Sequence, residues 1–267
     1  MPKSIVHAVK TYLPNPILKS PIAGIDISKW EPELAITWSK MDERVKLVIS
    51  KFTQYDWKDV QAQAHCEALS SLFYKRGGYH FMHEDDIPKQ ANKFIQVSRE
   101  VGALVGNRWV FEVPPILDVE VKAKKRGDHF AGQVYTLLNM IENACGVRPL
   151  IYTSEYFWNY YVCKVVNNHL IPPYWTSDYK LWVAQYPWLV NMNNAHAPLK
   201  LPAGWDDWVM WQYYDAYRFD AIKWNGCDVN LVKQEWFYSL GNPAPITNSL
   251  HLNAVYADGM TVAYQEK

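Results

Sequence analysis

Short apolar runs recur along the chain, and through its first two thirds they alternate with segments whose apolar residues return every three or four positions. Eight runs read as strands in order: AGIDIS (23–28), KLVISKF (46–52), GGYHFM (77–82), PILDVE (115–120), PLIYTS (149–154), KLWVAQY (180–186), WVMWQYY (208–214) and CDVNLV (227–232). Most are nearly continuous apolar stretches, the pattern of strands covered on both faces. Between them, Ala64, Ala68, Leu69, Leu72 and Phe73 follow the helical period, with Gly77 as the stop. Ile87, Ala91, Phe94, Ile95 and Val101 mark a second helix. Phe130, Val134, Leu137, Leu138, Ile141 and Ala144 mark a third, ending at Gly146. Strand alternating with helix predicts parallel pairing and an α/β fold of (β/α) barrel type. Later connections are shorter, more aromatic and richer in Asn and Pro, so helices are expected to be missing from the second half. The barrel is placed at 23–240, with an N-terminal extension (1–22) and a C-terminal tail (241–267) that could add an edge hairpin or mediate assembly.

Composition narrows the chemistry. With 267 residues and 49% hydrophobic content, the chain is long enough for one large barrel core. Lys and Arg number 27, as do Asp and Glu, so a nucleic-acid partner is disfavoured. Thirteen Trp and 18 Tyr supply flat apolar faces with polar tips, which suit both a core and a sugar-binding surface. Cys66, Cys145, Cys163 and Cys227 are scattered and are expected as buried free thiols. The N-terminus has no apolar stretch of signal-peptide type, and no run approaches the roughly 20 residues that span a bilayer. If the protein acts outside a cell, something else must release it.

In such a barrel, chemistry gathers where strands run out into their carboxyl-end loops. The strand ends carry Asp26, Lys51 with Gln54, His80, Asp118 with Glu120, Tyr152, Tyr186, Gln212 and Asp228. PPILDVE is the sharpest stretch. Residues two apart on a strand share a face, roughly 6.6 Å apart, so Asp118 and Glu120 point into one cavity. Repulsion and desolvation then keep one carboxyl protonated near neutrality beside an ionised neighbour. Glycosidic cleavage uses that pairing, an acid for the leaving oxygen and a negative charge for the oxocarbenium-like state. Alone, D-V-E could simply open a solvated loop, since Lys122, Lys124 and Lys125 follow. Its place after a buried strand, opposite Asp26 on the first strand and Asp228 on the last, favours the site. No H-E-x-x-H or similar spacing calls for a metal, and no cofactor is expected.

The ordered set GIDISKW (24–30), KLVISKFTQ (46–54), GGYHF (77–81), QANKF (90–94), PPILDVE (114–120), RPLIYTS (148–154), LWVAQY (181–186), GWDDWVMWQY (204–213) and DVN (228–230) resembles the family 25 glycoside hydrolases, the lysozyme-type N-acetylmuramidases. That resemblance implies a flattened, incomplete TIM-like (β/α) barrel. It also implies hydrolysis of the β-1,4 bond between N-acetylmuramic acid and N-acetylglucosamine in bacterial peptidoglycan. By the same resemblance Glu120 is the general acid/base, Asp118 assists it, and Asp26 and Asp228 are flanking acids. The resemblance also implies that Tyr79, Tyr152, Trp182, Tyr186 and Trp211 line the glycan groove with Gln212 as a polar contact, and their places at strand ends add His80 and Gln54 to them. One stretch departs from the pattern. Where the family usually reads Lys-Ala-Thr-Glu-Gly, this chain reads Lys51-Phe52-Thr53-Gln54-Tyr55, losing a carboxylate. Three functions fit: a muramidase such as a phage endolysin, acting from the host cytoplasm on the wall or carried on a virion; a catalytically weak glycan-binding or virion structural module on the same barrel; and a hydrolase of another N-acetylated polymer such as chitin.

Overall fold

A computed structural model describes residues 22–186, 197–198, 200–223 and 226–241. Nearly all of the expected extension and tail, residues 1–21 and 242–267, therefore lies outside the described residues, and with it the suggested edge hairpin. All eight expected strands form: β1 (Ala23–Ile27), β2 (Val45–Gln54), β3 (Lys75–Phe81), β4 (Ile116–Asp118), β5 (Leu150–Ser154), β6 (Leu181–Ala184), β7 (Met210–Tyr217) and β8 (Cys227–Val232). They lie in the order β1-β8-β7-β6-β5-β4-β3-β2, and pairing of β1 with β2 closes the ring.

The pairing is mixed. Six neighbouring pairs are parallel, but β8 runs antiparallel to both β7 and β1. Wholly parallel pairing, expected from the sequence, fails at this strand. The β7–β8 connection is too short to carry the chain back across the barrel, so it returns as a hairpin would. Reversal puts Asp228 at the beginning of its strand, and the register sets it directly across from Asp26.

Helices α1 (Ala62–Leu69), α2 (Ile87–Glu100) and α3 (Asp128–Cys145) cover the first half, and among the described residues the second half has only short helical pieces, at 155–162 and 176–178, before α4 (Gln234–Ser239). α1 stops earlier than its periodicity suggested. Ser70 Oγ donates to the Glu67 carbonyl at 2.6 Å, satisfying a helix-end acceptor, and Phe73 is left in solvent. Gly77 is no cap. It lies inside β3, where a Cβ would come 3.0 Å from Val113. Gly146 does end α3, at φ 67°, its N–H bonded to the Glu142 carbonyl.

Alternation along each strand separates two cores. Outward residues such as Val48, Phe52, Leu117, Ile151 and Val183 pack under the helices with Phe94 and Leu137. Inward residues Leu47, Ile49, Ile116, Leu150, Trp182, Met210 and Val232 fill the barrel. This inner plug leaves the carboxyl ends of the parallel strands as the surface on which polar side chains collect. All four cysteines are buried free thiols.

Candidate active site

The inward parity that buries Ile116 also places Asp118 at the end of β4, and Glu120 follows two residues later on the same parity. Asp118 is buried and its Oδ1 has no hydrogen-bond partner, whereas Glu120 is half-buried. Burial, then the Glu120 charge, pushes the Asp118 carboxyl well above the usual carboxylate range, and the Lys51 ammonium opposes the rise. Burial, then Asp26, lifts Glu120 to about 7. Both carboxyls are raised, rather than one as the sequence suggested.

Gln212 is the hub of the far wall. Its Nε2 donates to both carboxylate oxygens of Asp26, at 3.1 and 3.0 Å, and lies 3.4 Å from Asp228 Oδ2. Its Oε1 accepts from the hydroxyls of Tyr152, at 2.7 Å, and Tyr186. Asn230 Nδ2 adds a third bond to Asp26 at 2.8 Å, and Trp182 Nε1 fixes Asn230 through its Oδ1 at 2.7 Å. Tyr152 and Trp182 meet edge to face, 4.4 Å between centroids. Burial raises Asp26 while the bonds from Asn230 and Gln212 oppose that rise. Asp228 is driven well above its usual range by burial and then by Asp26. Three bonds from two amide groups thus work against the rise at Asp26, whereas at Asp228 the Asp26 charge adds to it.

Tyr79 joins this set, half-buried and close enough for Asp26 and Asp118 to act on it. Gln54 reaches it through Lys51, whose Nζ donates to Gln54 Oε1 at 2.6 Å. Two expected groove residues face the other way. His80 is fully buried under α2, with Nδ1 2.7 Å from Thr53 Oγ1 and Nε2 3.2 Å from Gln90 Oε1. Burial lowers its pKa to about 3, leaving a neutral ring. Trp211 is equally buried on the outer face, its Nε1 donating to the Gln185 carbonyl at 2.7 Å. In each case the neighbour of the other parity, Tyr79 or Gln212, takes the inward place.

Several site residues were not anticipated. Glu31, four residues past the end of β1, accepts from Ser28 N–H at 3.0 Å, and burial followed by this bond and the Asp26 charge leaves its carboxyl at about 7. A second acid a short turn beyond a strand-end Asp was the available signal. Asn230, on the same parity as Asp228, was legible by the rule applied to Asp118 and Glu120. Tyr156 and Tyr160 stack at 5.6 Å just beyond β5, with the Arg126 guanidinium 4.2 Å over the Tyr160 ring. Among the described residues no group of three or more His, Cys, Asp or Glu is arranged to hold a metal ion. No described helix is long and apolar enough to cross a membrane. An open cavity at the opposite end of the barrel, lined by Trp205, Trp208, Trp236 and Lys233 among others, contains none of these acids.

A closed barrel with a ring of strand-end acids and tyrosines, two of the acids on alternate residues at the end of one strand, is an arrangement that suits a glycoside hydrolase. The sequence pattern of Glycosyl hydrolases family 25 matches residues 25–222, and the chain belongs to that family. The uncharacterized protein YegX of Escherichia coli O157:H7 is 25% identical over 209 residues, covering 75% of this chain and 66% of its own length. The N,O-diacetylmuramidase of Chalaropsis sp. is 23% identical over 228 residues, covering 79% of this chain and 98% of its own. In fold, the chain resembles the bacterial lysozyme of Streptomyces coelicolor, with a TM-score of 0.63 at 20% identity over 80% of this chain and 93% of that one.

Proposed function

We propose that the protein is a peptidoglycan hydrolase of the muramidase type, cutting the β-1,4 bond between N-acetylmuramic acid and N-acetylglucosamine. The observation that carries the reading is Glu120: a half-buried carboxyl held at about 7, beside a second, unpartnered buried carboxyl on the same face of the chain. Two interacting carboxyls titrate as a pair. Near neutrality such a pair holds one proton and one charge. The shared proton is assigned to Glu120, the less buried of the two, and the charge to Asp118, where the Lys51 ammonium opposes the rise that burial and Glu120 cause.

In the first half of the reaction Glu120 gives its proton to the glycosidic oxygen as the bond to the anomeric carbon breaks. Asp118 sets its negative charge against the positive charge growing on the sugar. In the second half Glu120 takes a proton from the incoming water, whose oxygen bonds to the anomeric carbon, and the acid is restored. Asp26, Asp228 and Gln212 hold the wall against which the sugar lies, Tyr79 and Tyr186 offer ring faces to it, and buried Tyr152 fixes Gln212 from beneath. Mass analysis of fragments from digested, purified peptidoglycan tests the reading. New reducing ends on muramic acid are expected. New ends on glucosamine, cleavage of chitin alone, or binding without fragments would each reject it.

A further inference from the structure

Two ammonium groups meet on one indole beside the acid cluster. The Nζ of Lys29 lies 5.2 Å from the Trp57 centroid and 5.1 Å from that of Trp30. The Nζ of Lys51 lies 5.5 Å from the same Trp57 centroid and 5.0 Å from that of Phe81. The shelf is built by the chain. Trp57 is brought back over the end of β2 by antiparallel pairing with Gln54, through a turn in which Tyr55 takes φ 50°. Asp59 Oδ2, itself buried, anchors the Lys29 backbone N–H at 3.2 Å.

Like charges do not gather without cause. Lys51 feels the charge of Lys29 as well as those of Asp118 and Asp59, yet among the described residues no carboxylate is close enough to form an ion pair with Lys51 or Lys29. The sole hydrogen-bond acceptor of Lys51 is the amide oxygen of Gln54, which orients the ammonium without neutralising it. Lys51 is only 8% exposed, Trp30 is 68% exposed, and Lys29 is exposed as well. An inner fixed cation, an outer adjustable one and two aromatic faces therefore stand at the carboxyl ends of β1 and β2, where Asp118 is near enough to act on Lys51.

We propose that Lys29 and Lys51, gathered on Trp57 with Trp30, form a subsite that takes a carboxylate carried by the glycan and so selects an acidic sugar chain over a neutral one. Indole faces carry the ring, and the paired ammoniums take the charge. The proposal rests on the reading of this site as a glycan-hydrolase groove. The carboxylate has two sources, the lactyl group of a peptide-free strand or the stem peptide of an intact one.

Binding to the Glu120→Gln protein, followed by tryptophan fluorescence, separates these. The probes are one muramic-acid oligosaccharide in three forms: free lactyl carboxylates, lactyl methyl amides, and lactyl groups bearing the stem peptide. A carboxylate form is expected to bind about tenfold more tightly than the methyl amide, with a gap that narrows as salt is raised. Preference for the free form identifies the lactyl source, and preference for the peptide form identifies the stem. Lys29→Met should remove the gap. Gln54→Glu, which pairs Lys51 internally, should shrink it without deleting any cation. Equal binding of all three forms, or a gap that survives both substitutions, overturns the proposal. Cleavage of peptidoglycan by the native protein is scored separately. If it cleaves without a carboxylate preference, only this inference fails; if it prefers carboxylates but never cleaves, only the hydrolase reading fails.

Discussion

Replacing Glu120 by Gln should make the protein inactive and, at alkaline pH, more stable. Glu120 sits at about 7 against an ordinary 4.5, chiefly through burial. At about 1.4 kcal/mol per pH unit, holding its charged form in the fold costs roughly 3 kcal/mol. The sign follows from proton counts. Between about pH 4.5 and 7 the folded protein keeps a proton that the unfolded chain releases. Stability therefore falls as pH rises through that window and levels off above it. Gln keeps the shape and has no charge to desolvate, and it relieves Asp118 of a repulsion as well. Urea unfolding of both proteins at pH 5 and pH 8 measures the effect. The variant should gain roughly 2–3 kcal/mol on the native protein between the two pH values, while release of soluble fragments from cell walls falls by about 10²–10⁴-fold. Parallel stability curves would show that Glu120 is not strained by its surroundings, and the argument for a poised acid would fall with them.

Native activity on soluble glycan should decline as pH rises through about 7, because the proton on Glu120 is lost there; kcat/KM profiles that stay level to pH 9 would contradict this. Asp118→Asn should lower kcat by about 10²-fold or more with little change in the circular-dichroism spectrum, since it removes charge from a buried carboxyl whose Oδ1 takes part in no hydrogen bond. Gln212→Leu should destabilise the fold by about 3 kcal/mol in denaturant titrations, for it strips two bonds from Asp26 and orphans the Tyr152 and Tyr186 hydroxyls. Arg76→Met should cost about 3–5 kcal/mol, as it leaves the buried Glu112 carboxylate, 2.7 Å from the guanidinium, without a counter-charge.

The strands were legible because a barrel strand, apolar on both faces, announces itself as an unbroken run. The two longer helices were legible because their stripes are long and α3 is closed by a left-handed glycine. Direction was not legible. Nothing in CDVNLV itself distinguishes a parallel strand from an antiparallel one; the direction follows from the short connection after β7 and the closure with β1. The misplacement of His80 and Trp211 has a different origin. The period of two that correctly joined Asp118 to Glu120 also forbids Tyr79 and His80, or Trp211 and Gln212, from sharing a face. Its place at a strand end put His80 beside Tyr79, and family likeness put Trp211 beside Gln212; parity allowed one of each pair. Lys29 and Trp57 were out of reach, because a contact between the turn after β1 and a hairpin beyond β2 leaves no periodic mark.

Because β8 turns back against β1, Asp26 and its partner Asn230 are 204 residues apart in the chain. The catalytic wall cannot exist in a partial product. A chain still being synthesised, or one clipped before β8, has Asp26, Asp118 and Glu120 but no Asp228, no Asn230 and an open barrel edge. The wall that holds Asp26 is thus completed only when the last strand arrives, so topology sets the moment at which the site is assembled.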